Sequence, residues 1–320
     1  MLTRPQQDDW EPNFRAPTNA MQDFQPVFKF FPVAHWFADV MPKMAKLMGG
    51  EMAFFIKSIA EDMPGRVIRA KEAVEAGVVR ERTIIFEDML RSPALPDEDK
   101  TVYRLTGDGM IVVSAGTETT AWTLTVLPYH LLSSRPITSR LSRELDGMDP
   151  KKLSSQALER LPYLTAVIPE AIRLSYGIAA RLPRVAPDED LVYKGRDKTY
   201  VIPRGTAIGM STVITHHNED IFPDSHRFLP DRWLDEKGQR RTDREKYMLS
   251  FSRGSRVCVV MQLAWCNLYL ATAALVLRCF PHMSLFETTL ADIAYDHDAF
   301  VSRPKIGTKG VRVTMSESRG

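Results

Sequence analysis

The stretch Phe251–Met261, FSRGSRVCVVM, decides how the rest of the chain is read. It sets a single cysteine, Cys258, seven residues after Phe251 and two after Arg256, with Gly254 marking a turn between them. Behind it, residues 263–280 (LAWCNLYLATAALVLRCF) are apolar enough for a buried helix. A thiolate is a soft, anionic metal ligand, and a protein that uses one must keep water and competing metals away from it. Phe251 could shield the sulfur, and Gly254 could let the backbone turn close to a flat ligand. The plainer reading is that Cys258 is a small buried hydrophobe, the commonest fate of a free cysteine.

Composition sets the frame around this loop. With 320 residues, 44% of them hydrophobic, the chain can bury a sizeable core as one large domain or two. A formal charge of +2 gives no general argument for nucleic acid or an acidic membrane surface. The first residues, MLTRPQQDDWEPNFR, carry acids early and no apolar core segment, so they do not read as a signal peptide. No apolar run long enough to span a bilayer is free of charge or amide, and the nearest, 263–280, contains Asn267 and Arg278. Cysteines 258, 266 and 279 are an odd set without a C-x-x-C pair, which argues against a disulfide framework or a zinc site and for a reducing surrounding.

Upstream of the loop, residues 101–135 form the longest helical candidate, and 111–132 are apolar on nearly every face, which predicts burial on all sides. Inside it lies Ala115-Gly116-Thr117-Glu118-Thr119-Thr120. A glycine in a helix interior costs about 1 kcal/mol relative to alanine, so Gly116 needs a reason, such as a flat ligand pressed against it. Thr119 can bond back to the carbonyl of Ala115 and loosen the helix. A buried Glu118 needs partners or a raised pKa. These are the parts of a proton relay; they are also the parts of a small-residue packing notch.

Residues 161–176 (LPYLTAVIPEAIRLSY) predict a second helix, with Pro162 suited to its first turn. Glu170 and Arg173 stand one turn apart. On a surface such a pair is worth a few tenths of a kcal/mol, but here both flanks are apolar, and a buried pair must be well satisfied to be tolerated. Residues 178–211 suggest a small sheet, and 284–318 a terminal hairpin turning at Gly307 and Gly310. Phe300 and Val301 could reach over a substrate. His216 and His217 invite a metal reading, yet adjacent histidines cannot share a helix face, so they read as structural. Residues 19–80 predict short helices, rich in aromatics and methionine up to Met63 and polar beyond it.

Taken together, these stretches resemble the cytochrome P450 family. The loop follows the family pattern Phe-x-x-Gly-x-Arg-x-Cys-x-Gly except at its last position, where Val260 stands for glycine. The hexapeptide 115–120 matches Ala/Gly-Gly-x-Asp/Glu-Thr-Thr/Ser, Glu170 and Arg173 match Glu-x-x-Arg, and Pro230-Asp231-Arg232 matches the later Pro-x-Arg, all in the family's order. The resemblance implies a mainly α fold with a small β region, the carboxy-terminal part of a P450 domain in which 19–80 are lid-like. It implies heme b with Cys258 as axial iron ligand, and Arg184 and Arg256 on its propionates. Phe251, Gly254 and Gly116 would lie around it. Thr119 and Glu118 would manage protons, and Glu170, Arg173 and Arg232 would tie the fold together.

The implied activity is haem-thiolate monooxygenation: one atom of O2 enters an apolar small molecule, as in the filamentous-fungal branch that works in secondary metabolism. NADPH would act only through a separate reductase, docking near Arg253, and the family context is the cytoplasmic face of the endoplasmic reticulum. Against this stand an amino-terminal third that the sequence lacks (Trp10 does not replace its tryptophan), Val260 where positive φ is expected, and Pro128 and Pro169 inside predicted helices. Two rivals therefore stay open: a remnant that binds haem poorly or not at all, and a haem-thiolate isomerase or dehydratase.

Overall fold

The computed structural model describes residues 61–81 and 84–316; the lid-like stretch before residue 61 and Trp10 lie outside them. The chain divides into two compact units, Met1–Glu118 and Thr119–Gly320.

In the first unit, helices α1 (Met63–Glu75) and α2 (Ile85–Arg91) pack through a small core of Val67, Ala70, Phe86 and Leu105. The apolar positions of α1 recur three residues apart, and the charged Arg66, Arg69, Lys71 and Glu72 take the exposed face, as an amphipathic helix requires. Helix α3 (Val102–Leu132) begins in this unit, and the boundary between the units falls within its Ala115–Thr120 hexapeptide. Burial on all sides is not what α3 shows: Ile111 is 67% exposed and Val113 43%, and among the described residues the small core of the first unit meets α3 near Val102 and Leu105. Beyond Glu118 the prediction improves, with Trp122, Val126, Leu127 and Leu131 buried.

The second unit gathers the end of α3 with α4 (Arg135–Glu144), α5 (Ser155–Leu158), α6 (Leu164–Ser175), α7 (Thr212–His216) and α8 (Met261–Arg278) around one core. Every residue of α6 is buried, while α8 buries Leu268, Tyr269, Thr272, Ala273 and Val276 along one stripe. Pro162 lies before α6 rather than in its first turn. The orphan amides of Tyr163 and Leu164 are satisfied instead by the Glu144 carboxylate, each at 2.7 Å. Pro128 and Pro169 do not end their helices: α3 and α6 run through them, each forgoing one amide.

The expected small sheet is two separate antiparallel ladders, β1 (Arg184–Val185) with β4 (Ala207–Ile208), and β2 (Leu191–Lys194) with β3 (Thr199–Ile202). The expected terminal hairpin is likewise a nested pair. Strand β5 (Met283–Leu285) pairs with β8 (Val313–Met315), and between them β6 (His297–Ala299) and β7 (Val301–Arg303) turn tightly at Phe300, whose φ is 72°. Alternation alone does not separate one ladder from two, because both give the same period.

Candidate functional site

Glu170, on the buried face of α6, is the best-satisfied charge in the second unit. Its Oε1 accepts from Arg173 Nη2 at 2.8 Å, Arg232 Nε at 3.1 Å and the Leu229 amide at 2.9 Å. Its Oε2 accepts from Arg173 Nε at 2.9 Å and from the indole Nε1 of Trp233 at 2.9 Å. Burial works to raise the carboxyl pKa, but the Arg173 bond and charge, with Arg232 and the Leu229 amide, outweigh it and hold it below the ordinary value. The remaining guanidinium hydrogens go to carbonyls: Arg173 to His216 and Arg227, Arg232 to Pro223 and Asp224. The structure thus brings Glu170, Arg173 and Arg232 together, and adds Trp233, whose indole role the sequence did not announce.

His216 is the second unannounced member. Its Nδ1 lies 2.9 Å from the Arg173 carbonyl and its Nε2 receives the Leu249 amide at 3.1 Å. A carbonyl can only accept and an amide can only donate, so the ring is neutral with the proton on Nδ1. Burial pushes its pKa down to about 4. His216 therefore pins the segment entering the cysteine loop to the Glu-x-x-Arg helix. Next to it, Gly177 (φ 68°) lies so close to Ser250 that a Cβ would stand 2.6 Å from the Ser250 carbonyl. A side chain at 177 would push the entrance of the loop away.

The cysteine loop itself is short and closed on itself. The Cys258 amide donates to the Phe251 carbonyl at 2.8 Å, and a 3₁₀ turn, Gly254–Arg256, fills the interval, with Gly254 at φ 74°. Phe251 lies against Trp265 of α8, with ring centroids 5.8 Å apart. Cys258 is a free, half-buried thiol at the mouth of α8. Val260 caps that helix at φ −104° and ψ 22°, so the strain expected of a β-branched residue at positive φ is absent. The chain turns here without the glycine.

Arg184 extends from β1 to Ser252 Oγ at 3.4 Å, beside the loop, and is exposed. Arg256 is exposed, with no hydrogen bond or ion pair among the described residues. Gly116 and the buried Glu118 belong to the first unit; Thr119 opens the second, its carbonyl 3.1 Å from Thr123 Oγ1. A Cβ on Gly116 would meet nothing within 4 Å, so packing between protein groups does not account for that glycine. Within the second unit, a free thiol in a closed loop and two exposed guanidiniums are a donor set that fits haem. Among the described residues no group of three or more His, Cys, Asp or Glu could hold a bare metal ion.

Cytochrome P450 monooxygenase MO6277 of Ascocoryne sarcoides is 39% identical over 304 residues, covering 89% of this chain and 57% of that protein. Cytochrome P450 monooxygenase ucsK of an Acremonium species is 43% identical over 242 residues, 72% of this chain and 44% of its own length. N-acetyltryptophan 6-hydroxylase ivoC of Emericella nidulans is 39% identical over 235 residues, again 72% and 44%. The chain spans about half the length of the curated relatives it matches. The family model for cytochrome P450 matches residues 9–305, and on these grounds the chain belongs to the cytochrome P450 family.

Proposed function

We propose that this chain carries the haem-thiolate centre of a monooxygenase acting on an apolar small molecule, in secondary metabolism. The observation that carries the reading is Cys258, a free thiol at the end of a loop closed by its own amide on Phe251 and pinned at its entrance by His216. Bound haem b would supply the activation of O2 by two electrons, one oxygen atom entering the substrate and the other leaving as water.

The protein groups have separate tasks. The Cys258 sulfur would hold the haem iron, and the exposed guanidiniums of Arg184 and Arg256 would take the two propionates. Gly116 leaves room for a flat ring at α3. The Glu118 carboxyl and the Thr119 hydroxyl hold and pass protons on the oxygen side. Glu170, Arg173 and Arg232 touch neither substrate nor cofactor; they fix the loop.

Electrons would come from NADPH through a separate reductase that meets the cysteine face near Arg253, an exposed residue whose guanidinium bonds the Glu245 carbonyl. Arg253→Glu should slow reduction of the iron by that donor severalfold, and an unchanged rate would dispose of the docking site. No described helix is long and apolar enough to cross a membrane; placement at the cytoplasmic face of the endoplasmic reticulum belongs to the same proposal.

The direct test is a carbon monoxide difference spectrum of the purified chain after haem addition and reduction. A strongly red-shifted Soret band that Cys258→Ala abolishes is the expected result. A chain that retains no haem, or a band that survives in Cys258→Ala, defeats the reading. Substrate turnover without a reductase would point to an isomerase or dehydratase instead.

A further inference from the structure

Thr123, on α3 one turn after Thr119, and Ser175, the last residue of α6, are both buried, at 5% and 0% exposure. Their hydroxyl oxygens lie 2.8 Å apart, although the residues are 52 positions apart in sequence. Thr123 Oγ1 also stands 3.1 Å from the Thr119 carbonyl, and Ser175 Oγ stands 3.2 Å from the Ile172 carbonyl. This makes three short contacts for two hydroxyl hydrogens. Either Ser175 donates to Thr123 and Thr123 donates to Thr119, or Thr123 donates to Ser175 and Ser175 donates to Ile172.

The Ile172 carbonyl decides between them. It already accepts from the Tyr176 amide at 3.0 Å and from Ser250 Oγ at 3.2 Å, which occupies both of its lone pairs. Ser175 therefore turns its hydrogen to Thr123, and Thr123 turns its own to Thr119. Ser175 is steadied from the far side, where Ser302 Oγ of β7 donates to its carbonyl at 3.1 Å. The chain ends on a carbonyl, which has no proton to give, so it is no proton conduit. What it can do is hold a helix turn in place.

We infer that Thr123 and Ser175 are positioning residues: with Ser250, at the entrance of the cysteine loop, they set the helix turn that carries Thr119. The inference rests on the proposed role of Thr119 in oxygen activation, but the linkage itself does not. Ser250 directly precedes Phe251, and its bond to the Ile172 carbonyl leaves Ser175 to donate to Thr123, so the entrance of the thiolate loop bears on the turn that carries Thr119 through α6. A back-bonded threonine without such a tie slightly loosens its helix. The same helix supplies the comparison: Thr125 Oγ1 bonds the Ala121 carbonyl at 2.9 Å, and no tie from Thr125 to another element occurs among the described residues.

The test is amide hydrogen exchange of the 320-residue chain, read by mass spectrometry on peptides spanning Thr119–Val126. Thr123→Val and Ser175→Ala should each speed exchange there by about fivefold, the worth of one buried hydrogen bond, and the double variant should add little to the larger single effect. Thr123→Ser should restore slow exchange, and Thr125→Val should leave it unchanged or slower. Ser250→Ala, which frees a lone pair on Ile172, should raise it more weakly. Wild-type exchange in both Thr123→Val and Ser175→Ala overturns the linkage, whether or not the chain binds haem.

With haem and reductase present, Thr123→Val should keep the carbon monoxide band and lose product per NADPH consumed severalfold, recovered in Thr123→Ser. Faster exchange with full coupling would refute the role at Thr119 while leaving the linkage intact. Loss of the band in the wild-type chain would instead count against the haem reading alone.

Discussion

Two neighbouring regions of the second unit are built on opposite plans. Around Glu170 the protein supplies both charges and every donor, so that one carboxylate answers two guanidiniums, an amide and an indole with no external partner. Around Cys258 it supplies a closed backbone loop and leaves the side chains open: Arg256 is exposed, Val257 is 43% exposed and Val259 90%. The first region is complete as protein. The second leaves much of its surface open, as the proposed mount for haem would require. The contrast teaches where stability and chemistry reside. The Glu-x-x-Arg cluster should carry most of the folding energy near the site, and the cysteine loop most of the function.

The largest effect should follow from breaking the cluster. Glu170→Gln keeps the shape but leaves two buried guanidiniums without their carboxylate, which should cost about 3–5 kcal/mol of unfolding free energy. Cys258→Ala, in the open loop, should stay within about 1 kcal/mol in the same urea titration. If the two variants lost equal stability, the division of labour would be wrong.

Acid should separate the cluster's own members. His216 is neutral in the fold with its pKa pushed down to about 4 by burial, against 6.5 for a free imidazole. Between those values the unfolded chain binds the proton and the folded chain does not, so stability falls as pH falls from about 6.5 toward 4. That single ring is worth roughly 3 kcal/mol over the window. Half-buried His130, stacked on Phe228 and also pushed down by burial to about 4, adds in the same direction. Glu170 acts later: its pKa is lowered, so its contribution is present above the unfolded carboxyl value and is lost only as pH falls through the folded one. Urea midpoints across this range should fall in two stages, and His216→Gln should flatten the first. An unaltered slope in that variant would remove His216 from the account.

The sequence displayed the two regions unequally. Glu170, Arg173 and Arg232 were legible because a charged pair between apolar flanks has to be satisfied, and the resemblance pointed to the third partner. Trp233 and His216 were not, since an indole N–H or an imidazole finds its acceptor through folding over a long sequence separation, and no local spacing records that. The link from Thr123 to Ser175 escaped for the same reason. The half-open face of α3 was misread because apolar residues on every side of a helix do not say which of them the core will cover. Pro128 and Pro169, which counted against unbroken helices, lie inside helices that run through them, and Val260, expected at positive φ, has a negative one.

Val260 offers the finest test of the contrast, because it asks whether the open loop is strained. Valine at φ −104° and ψ 22° sits in an allowed region, and its amide conformation starts α8 without a left-handed turn. Val260→Gly, which restores the family pattern, should then relieve nothing in the fold while enlarging the freedom of the unfolded chain. It should lower stability by about 0.5–1 kcal/mol, and the carbon monoxide band should keep its position. A variant that became more stable, or that bound haem where the parent chain did not, would show the opposite: the loop as written is held against its preference, and the glycine of the pattern is what the thiolate requires.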